Sequence, residues 1–280
     1  MKRFEQAVAV VTGGASGIGF AMAKRFAKEG MRVVVADIGL EALRTAEREL
    51  HQAGATVLAV QTDVSKQEDV DGLALEAFAK FGAVHILCNN AGVAVGGPLW
   101  EHALQDWQWV LGVNLWGVIH GVRAFVPRML AQDTEGHIVN TGSLAGLVSF
   151  PNAGVYGASK AAVIALSETL HHDLRAKGSK LRVSVLCPAA VATRIADSER
   201  NRPRELSLGQ PTPEAEEMAR INREAMAAGI PPDKVADRVF EAIRDEKFYV
   251  LTHGDEARAA VKARFAAILE ERAPSFDLDL

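Results

Sequence analysis

Tyr156 and Lys160 stand four residues apart in GVYGASKAAV, residues 154–163, and are the only phenol and ammonium in that window. On a helix this spacing puts both side chains on one face, with the ammonium one turn from the phenol. A free tyrosine ionises near pH ~10, so bringing it toward 7 means favouring phenolate by ~3 units, about 4 kcal/mol at ~1.36 per unit. An ammonium in a dry site, helped by a second positive charge, supplies energy of that order. The phenol then becomes a proton acceptor for an alcohol, or a donor to a nascent alkoxide. Taken alone, Tyr-x-x-x-Lys is a common pairing, and Tyr156 could equally pack at an interface with its hydroxyl in water.

A second candidate lies near the start of the chain. TGGASGIG, residues 12–19, follows an apolar run and leads into a helical pattern, with Gly13, Gly17 and Gly19 spaced G-x-x-x-G-x-G. A strand, a glycine turn and a helix in that order aim free backbone N–H groups and the positive helix end at a pyrophosphate. The spacing differs from the G-x-G-x-x-G of the dinucleotide fingerprint. Asp37 closes the next apolar run, eighteen residues after Gly19. A carboxylate there accepts hydrogen bonds from both hydroxyls of an adenosine ribose and repels a 2′-phosphate. Neither Ala36 nor Ile38 supplies a cation to reverse this, so NAD is favoured over NADP. The plainer readings are a structural turn for the glycines and a helix cap for Asp37.

Periodicity supplies the elements that must position these residues. Short β-branched runs at 7–12, 32–37, 56–61, 84–89, 137–142, 182–187 and 248–253 alternate with helical patterns near 18–29, 40–53, 66–81, 106–131, 155–177, 233–245 and 255–272. Continuous apolar strands separated by helices mean a parallel sheet covered on both faces. The expected fold is α/β, one doubly wound Rossmann-type domain over 1–280 with about seven strands. The rhythm breaks at 194–232, where charge and proline accumulate; this segment reads as a lid over the substrate. Residues 254–280 read as a C-terminal helix and tail.

The composition is that of a soluble globular protein: 280 residues, 49% hydrophobic and 24% charged. A net charge of −4 leaves no positive surplus for nucleic acid. The run AVAVV at 7–11 is far short of the ~20 residues of a membrane span, and MKRFEQ turns polar too soon for a secretory signal. A cytoplasmic protein without membrane or nucleic-acid partners is expected. Cys88 and Cys187 lie in apolar strand-like runs and read as buried, reduced thiols. His171 and His172 are adjacent on a helix and face different ways, so no metal site is expected.

Further motifs fall in order along the chain: Asp63-Val64 after the third strand, NNAG at 89–92 after the fourth, then Asn114 and Ser143. With the glycine turn, Tyr156 and Lys160, they resemble the short-chain dehydrogenase/reductase family in its common single-domain form, from about residue 7 to 193. The resemblance implies a catalytic group of Asn114, Ser143, Tyr156 and Lys160. Ser143 would bond the substrate oxygen, Lys160 would also hold the nicotinamide ribose, and Asn114 would support a water chain. It further implies cofactor contacts from Gly13, Ser16, Gly17, Ile18, Gly19, Asp37, Asp63, Val64, Asn90, Ala91 and Gly92, and from Pro188, Val191 and Thr193 at the nicotinamide. A homo-oligomer, dimer or tetramer, is implied as well. One departure is Pro188-Ala189, where the family usually has Pro-Gly; an alanine forced to positive φ would cost energy.

Loops after the fourth and fifth strands are apolar, with Val95, Trp100, Leu144 and Phe150 as candidate substrate contacts. They suggest a hydrophobic secondary alcohol or its ketone. A 3-oxoacyl thioester reductase stays open, though it would be expected to prefer NADPH, against Asp37. So does a non-catalytic NAD-binding regulator, which has no use for a tuned phenol. Of the four tryptophans, Trp107, Trp109 and Trp116 read as core or subunit contact. Arg194, Arg200, Arg202 and Arg204 read as a solvated face, with a grip on a substrate carboxylate as the alternative.

Overall fold

Along the first strand, β1 (Val8–Thr12), Val8 and Val10 point to one face while Ala9 and Val11 point to the other, and all four are fully buried. A strand buried on both faces needs a helical layer on each. The computed structural model describes residues 1, 3–209 and 213–274. Its other strands are β2 (Arg32–Asp37), β3 (Val57–Gln61), β4 (Ile86–Asn89), β5 (Gly136–Thr141), β6 (Leu181–Cys187) and β7 (Tyr249–Leu251). They form one seven-stranded parallel sheet in the order β3-β2-β1-β4-β5-β6-β7.

The helices are α1 (Gly17–Lys28), α2 (Leu40–Gln52), α3 (Gln67–Phe81), α4 (Leu104–Leu111), α5 (Gly117–Ala131), the single turn α6 (Leu144–Leu147), α7 (Gly154–Ala176), α8 (Pro213–Ala227), α9 (Pro232–Arg244) and α10 (Gly254–Leu269). On one face Phe26, Leu43, Val239 and Ile243 from α1, α2 and α9 pack against Ala9, Val11, Val33 and Val35. On the other, Leu73, Phe125, Met129 and Leu174 from α3, α5 and α7 pack against Val8, Val10, Val34 and Leu87. The chain runs outward from β1 to β3 and returns beside β1 as β4, so the sheet has a topological switch point at the carboxyl ends of β1 and β4. Thr12 and Asn90 lock that point: the Thr12 hydroxyl accepts from Asn90 N at 2.9 Å and Ala91 N at 3.1 Å, and Asn90 Nδ2 donates to the Thr12 carbonyl at 3.0 Å.

Three expectations need correction. The single helix foreseen over 106–131 is two helices joined by a π-helical turn, Gly112–Trp116. The irregular segment 194–232 carries its own helix, α8, preceded by 3₁₀ turns at Ile195–Asn201 and Arg204–Leu206. Ala189 is not among the described residues with positive φ, so the Pro-Ala sequence carries no such strain. Residues 210–212 of the foreseen lid and 275–280 of the tail lie outside the described residues. Leu104–Ala131 has the length and hydropathy of a membrane span, yet more than half of its window is buried inside the molecule, with α5 against α3. Cys88 and Cys187 are buried free thiols, Cys187 pushed by burial up to about 12.

His137 is sealed inside β5. Its Nε2 pairs with Ser184 Oγ at 2.7 Å, and because that hydroxyl donates onward to the Lys247 carbonyl, Nε2 carries the proton. Among the described residues Nδ1 has no hydrogen-bond partner, so a second proton would sit there unbonded, and burial lowers the ring from 6.5 to about 3. The unfolded chain therefore takes up this proton first. The stabilisation is complete above ~6.5 and declines as pH falls toward 3, by up to ~1.36 kcal/mol per pH unit. Denaturant unfolding between pH 7 and 4.5 should show a shallower acid slope for His137→Gln than for the wild type; equal slopes would contradict this assignment.

Candidate active site

Ser143 follows β5 and N-caps α6, its hydroxyl accepting from Ala145 N at 3.1 Å. The same hydroxyl reaches the Pro188 carbonyl at 3.3 Å, and Leu144 N donates to that carbonyl at 2.8 Å. Ser143 is thus fixed between the ends of β5 and β6. Tyr156 and Lys160 lie in the first turns of α7, as their spacing predicts, with Lys160 Nζ 5.6 Å from the Tyr156 ring centroid. Lys160 is buried and donates to the Thr141 carbonyl at 2.8 Å. The Ser143 hydroxyl lies in hydrogen-bonding reach of the Tyr156 phenol.

Asn114 sits inside the π-helical turn and has no exposed surface. A π turn inserts one extra residue and swings the side chains at that level, and such turns recur at functional sites. Here it aims Asn114 at the backbone of Val93, accepting from its N–H at 2.9 Å and donating to its carbonyl at 3.0 Å. The second amide proton goes to Ser159 Oγ at 3.0 Å, and Ser159 donates to the Tyr156 carbonyl at 2.6 Å. Asn114 therefore braces the very turn of α7 that carries Tyr156. A carbon added to Gly92 would lie 3.4 Å from Asn114 Oδ1 and 3.5 Å from Lys160 Nζ, so an acceptor and an ammonium flank one small space. Ser159 and Thr141 escape sequence reasoning, because each acts through a contact distant along the chain.

The expected lowering of the Tyr156 phenol is not a property of the protein alone. Burial pushes it above its usual value, opposed by the Ser143 hydrogen bond. Dry surroundings magnify a nearby charge but also penalise the phenolate itself. Burial equally lowers Lys160, to about 8, so its ammonium is retained at neutral pH and lost in mild alkali.

At the phosphate end the glycine turn is a cradle that side chains would fill. Gly13 and Gly17 have φ of 61° and 53°, and a carbon on Gly13 would come 2.9 Å from Ala91 Cα. Gly19 is pressed onto the Gly13 carbonyl. Ser16, the N-cap of α1, makes no side-chain cap bond, which leaves its hydroxyl available to an anion, while Ile18 packs into the core. Asp37 ties the turn to β2, accepting from Ala15 N at 3.1 Å and Gly39 N at 3.0 Å. These features fit the pyrophosphate and ribose of a dinucleotide. Asp63 accepts from Ser65 at 2.7 Å, and the Val64 carbonyl meets His120 Nδ1 at 3.0 Å. Asn90 is committed to Thr12 and Thr141. Val191 is a core side chain, so only its backbone is available to a ligand, whereas Thr193 packs on Gly17.

The four foreseen substrate contacts do not form one wall. Val95 packs with Trp107, Trp109 and Val155, and Trp100 is 85% exposed. Leu144 and Phe150 pack against Ala257 and Ala260 of α10, the apolar partner their sequence neighbourhood does not contain. Arg202, foreseen on a solvated face, instead has its side chain enclosed, with only 5% of it exposed. It pairs with Asp106 at 2.6 Å and Glu199 at 2.7 Å and stacks 4.3 Å over Trp109, while His102 meets Asp106 at 3.3 Å.

The family described as short chain dehydrogenase matches residues 7–204. A CLA biosynthesis dehydrogenase/reductase from Lactiplantibacillus plantarum is 35% identical over 98% of this chain and 97% of its own. A C alpha-dehydrogenase from Sphingobium sp. strain SYK-6 is 38% identical over 98% of this chain and 89% of its own. Among solved structures, a short chain dehydrogenase/reductase from Burkholderia phymatum in complex with NAD is 48% identical, with full coverage of both chains and a TM-score of 0.96.

The Asn114 brace yields a stability prediction. Asn114→Leu strands the Val93 N–H and carbonyl and removes a partner of Ser159, all buried, so unfolding free energy should fall by at least about 2 kcal/mol. A variant as stable as the wild type in chemical denaturation would remove the brace from the account.

Proposed function

The chain belongs to the short-chain dehydrogenase/reductase family, and from that premise we propose an NAD-dependent dehydrogenase of hydrophobic secondary alcohols, working reversibly on the corresponding ketones. It is an oxidoreductase of NAD-binding Rossmann type. The observation carrying the reading is the convergence of Ser143, Tyr156 and Lys160 at the ends of β5 and β6, braced from behind by Asn114.

A bound nicotinamide ring supplies the two-electron acceptor or donor. In the oxidative direction Ser143 donates a hydrogen bond to the substrate oxygen and holds it against Tyr156, whose phenolate accepts the hydroxyl proton. Lys160, held by the Thr141 carbonyl, favours that phenolate and presents its remaining protons to the nicotinamide ribose. The space over Gly92, between Lys160 Nζ and Asn114 Oδ1, suits a water that passes the proton outward. Gly13, Ser16 and Gly17 receive the pyrophosphate, Thr193 the nicotinamide, and Asp37 the adenosine ribose. Asp37 favours NAD over NADP. The segment 194–232 acts as the substrate lid, since Asn222 of α8 lies 3.2 Å from where a carbon on Gly96 would stand.

The enzyme belongs in the cytoplasm, where its two buried thiols stay reduced. Half-exposed Trp116 on the α4–α5 side and Leu75 on α3 support a homo-oligomer, dimer or tetramer. Turnover of a panel of hydrophobic secondary alcohols with NAD+ and NADP+ tests the reading. Activity should appear and favour NAD+, and Tyr156→Phe should lose roughly 10²- to 10⁴-fold in kcat while still binding NADH. Unchanged kcat in that variant, or cofactor binding with no turnover of any alcohol, would contradict it.

A further inference from the structure

The chain leaving β6 crosses the mouth of the sheet as a strap from Thr193 to Leu206, fixed at three points. At its near end Thr193 Cγ2 lies 3.1 Å from where a carbon on Gly17 would stand. In the middle, buried Ser198 accepts from Ala94 N at 3.1 Å and donates to the Ile195 carbonyl at 2.6 Å. At the far end the buried pair of Arg202 with Asp106 holds it to α4. A charged side chain between these anchors is therefore presented in a fixed place.

Arg200 is that side chain. Its Nη1 donates to the Arg194 carbonyl at 2.8 Å and the Asp197 carbonyl at 2.7 Å, which turns the guanidinium back along the strap toward Arg194, the neighbour of Thr193. Its partners are carbonyls, and among the described residues none of the ion pairs includes it; Asp197 pairs instead with Arg194 and Arg223. Burial and the Arg194 charge lower Arg200 from its usual value, while Asp197 and Asp37 act in the opposite direction, so Asp37 lies within its electrostatic reach. The guanidinium is thus held on the stretch of strap whose start, Thr193, packs on Gly17 at the positive end of α1, and it feels the charge of the carboxylate proposed to read the ribose. Two sources of positive potential converge where a dinucleotide carries its phosphates.

We propose that Arg200 is a cofactor-binding residue, set by the strap over the nucleotide between the glycine turn and Asp37, where it bonds a phosphate of the dinucleotide. This rests on reading the site as the dinucleotide site. The phosphate is either the bridging diphosphate, common to both cofactors, or the 2′-phosphate of NADP(H), and a charged planar fork suits either.

Calorimetric titration of the wild type, Arg200→Met and Arg200→Lys with NADH, NADPH and adenosine decides it. Arg200→Met should weaken dinucleotide binding by roughly 10- to 100-fold, the range for a hydrogen bond to a charged partner. Arg200→Lys should recover part of the loss, and adenosine, which has no phosphate, should bind all three alike. Equal weakening of NADH and NADPH assigns Arg200 to the diphosphate; weakening of NADPH alone assigns it to the 2′-phosphate. Unchanged binding of both dinucleotides in Arg200→Met overturns the proposal, and so does an adenosine loss as large as that of NADH. A wild type that binds neither dinucleotide overturns the site reading itself, and this inference with it.

Discussion

A lysine with 3% of its surface exposed is an expensive charge to bury, and among the described residues the Lys160 ammonium is kept there by one backbone carbonyl, that of Thr141. The position of that carbonyl depends on β5, and the position of the ammonium on α7, so the sheet and helix must meet in one register for the charge to be tolerated. The same burial that makes Lys160 a strong influence on its surroundings raises the phenol of Tyr156 beside it. The protein alone is thus balanced against ionising its proposed base. In the proposed chemistry a second positive charge, brought by the cofactor, tips that balance only when both reactants are present.

The remaining architecture keeps this arrangement rigid. Asn114 and Ser159 connect the loop after β4 to the first turn of α7, and the Pro188 carbonyl holds Ser143 from the opposite side. Three strands therefore contribute to one small volume, and none of the proposed catalytic side chains is held by its own element alone. α10 has a related structural part: it covers Leu144 and Val148, and Arg264 reaches the Leu147 carbonyl, which steadies the turn just after Ser143.

Local signals carried much of this into the sequence. β2 spans Arg32–Asp37 as its β-branched run implies, because a strand buried on both faces must be apolar throughout. The pairing of Tyr156 with Lys160 was legible because the helical period alone fixes which side chains share a face. What stayed hidden depends on distant partners. Arg202 looks like any surface arginine until Asp106, ninety-six residues away, folds against it. Leu144 and Phe150 look like pocket walls until α10 covers them. The π turn had a trace in its flanking Gly112 and Gly117 and the polar Asn114 of an apolar helix, but its inward swing is decided by Val93 and Ser159.

The most direct measurement is the ionisation of Tyr156 itself. The chain has two tyrosines, and in Tyr249→Phe with ring-labelled tyrosine the remaining phenol can be followed by NMR as pH rises. Alone it should titrate above about 10, and with saturating NAD+ it should fall toward neutrality, a fall largely abolished by Lys160→Met. A phenol that keeps its position when NAD+ binds, or that falls equally without Lys160, would contradict the account.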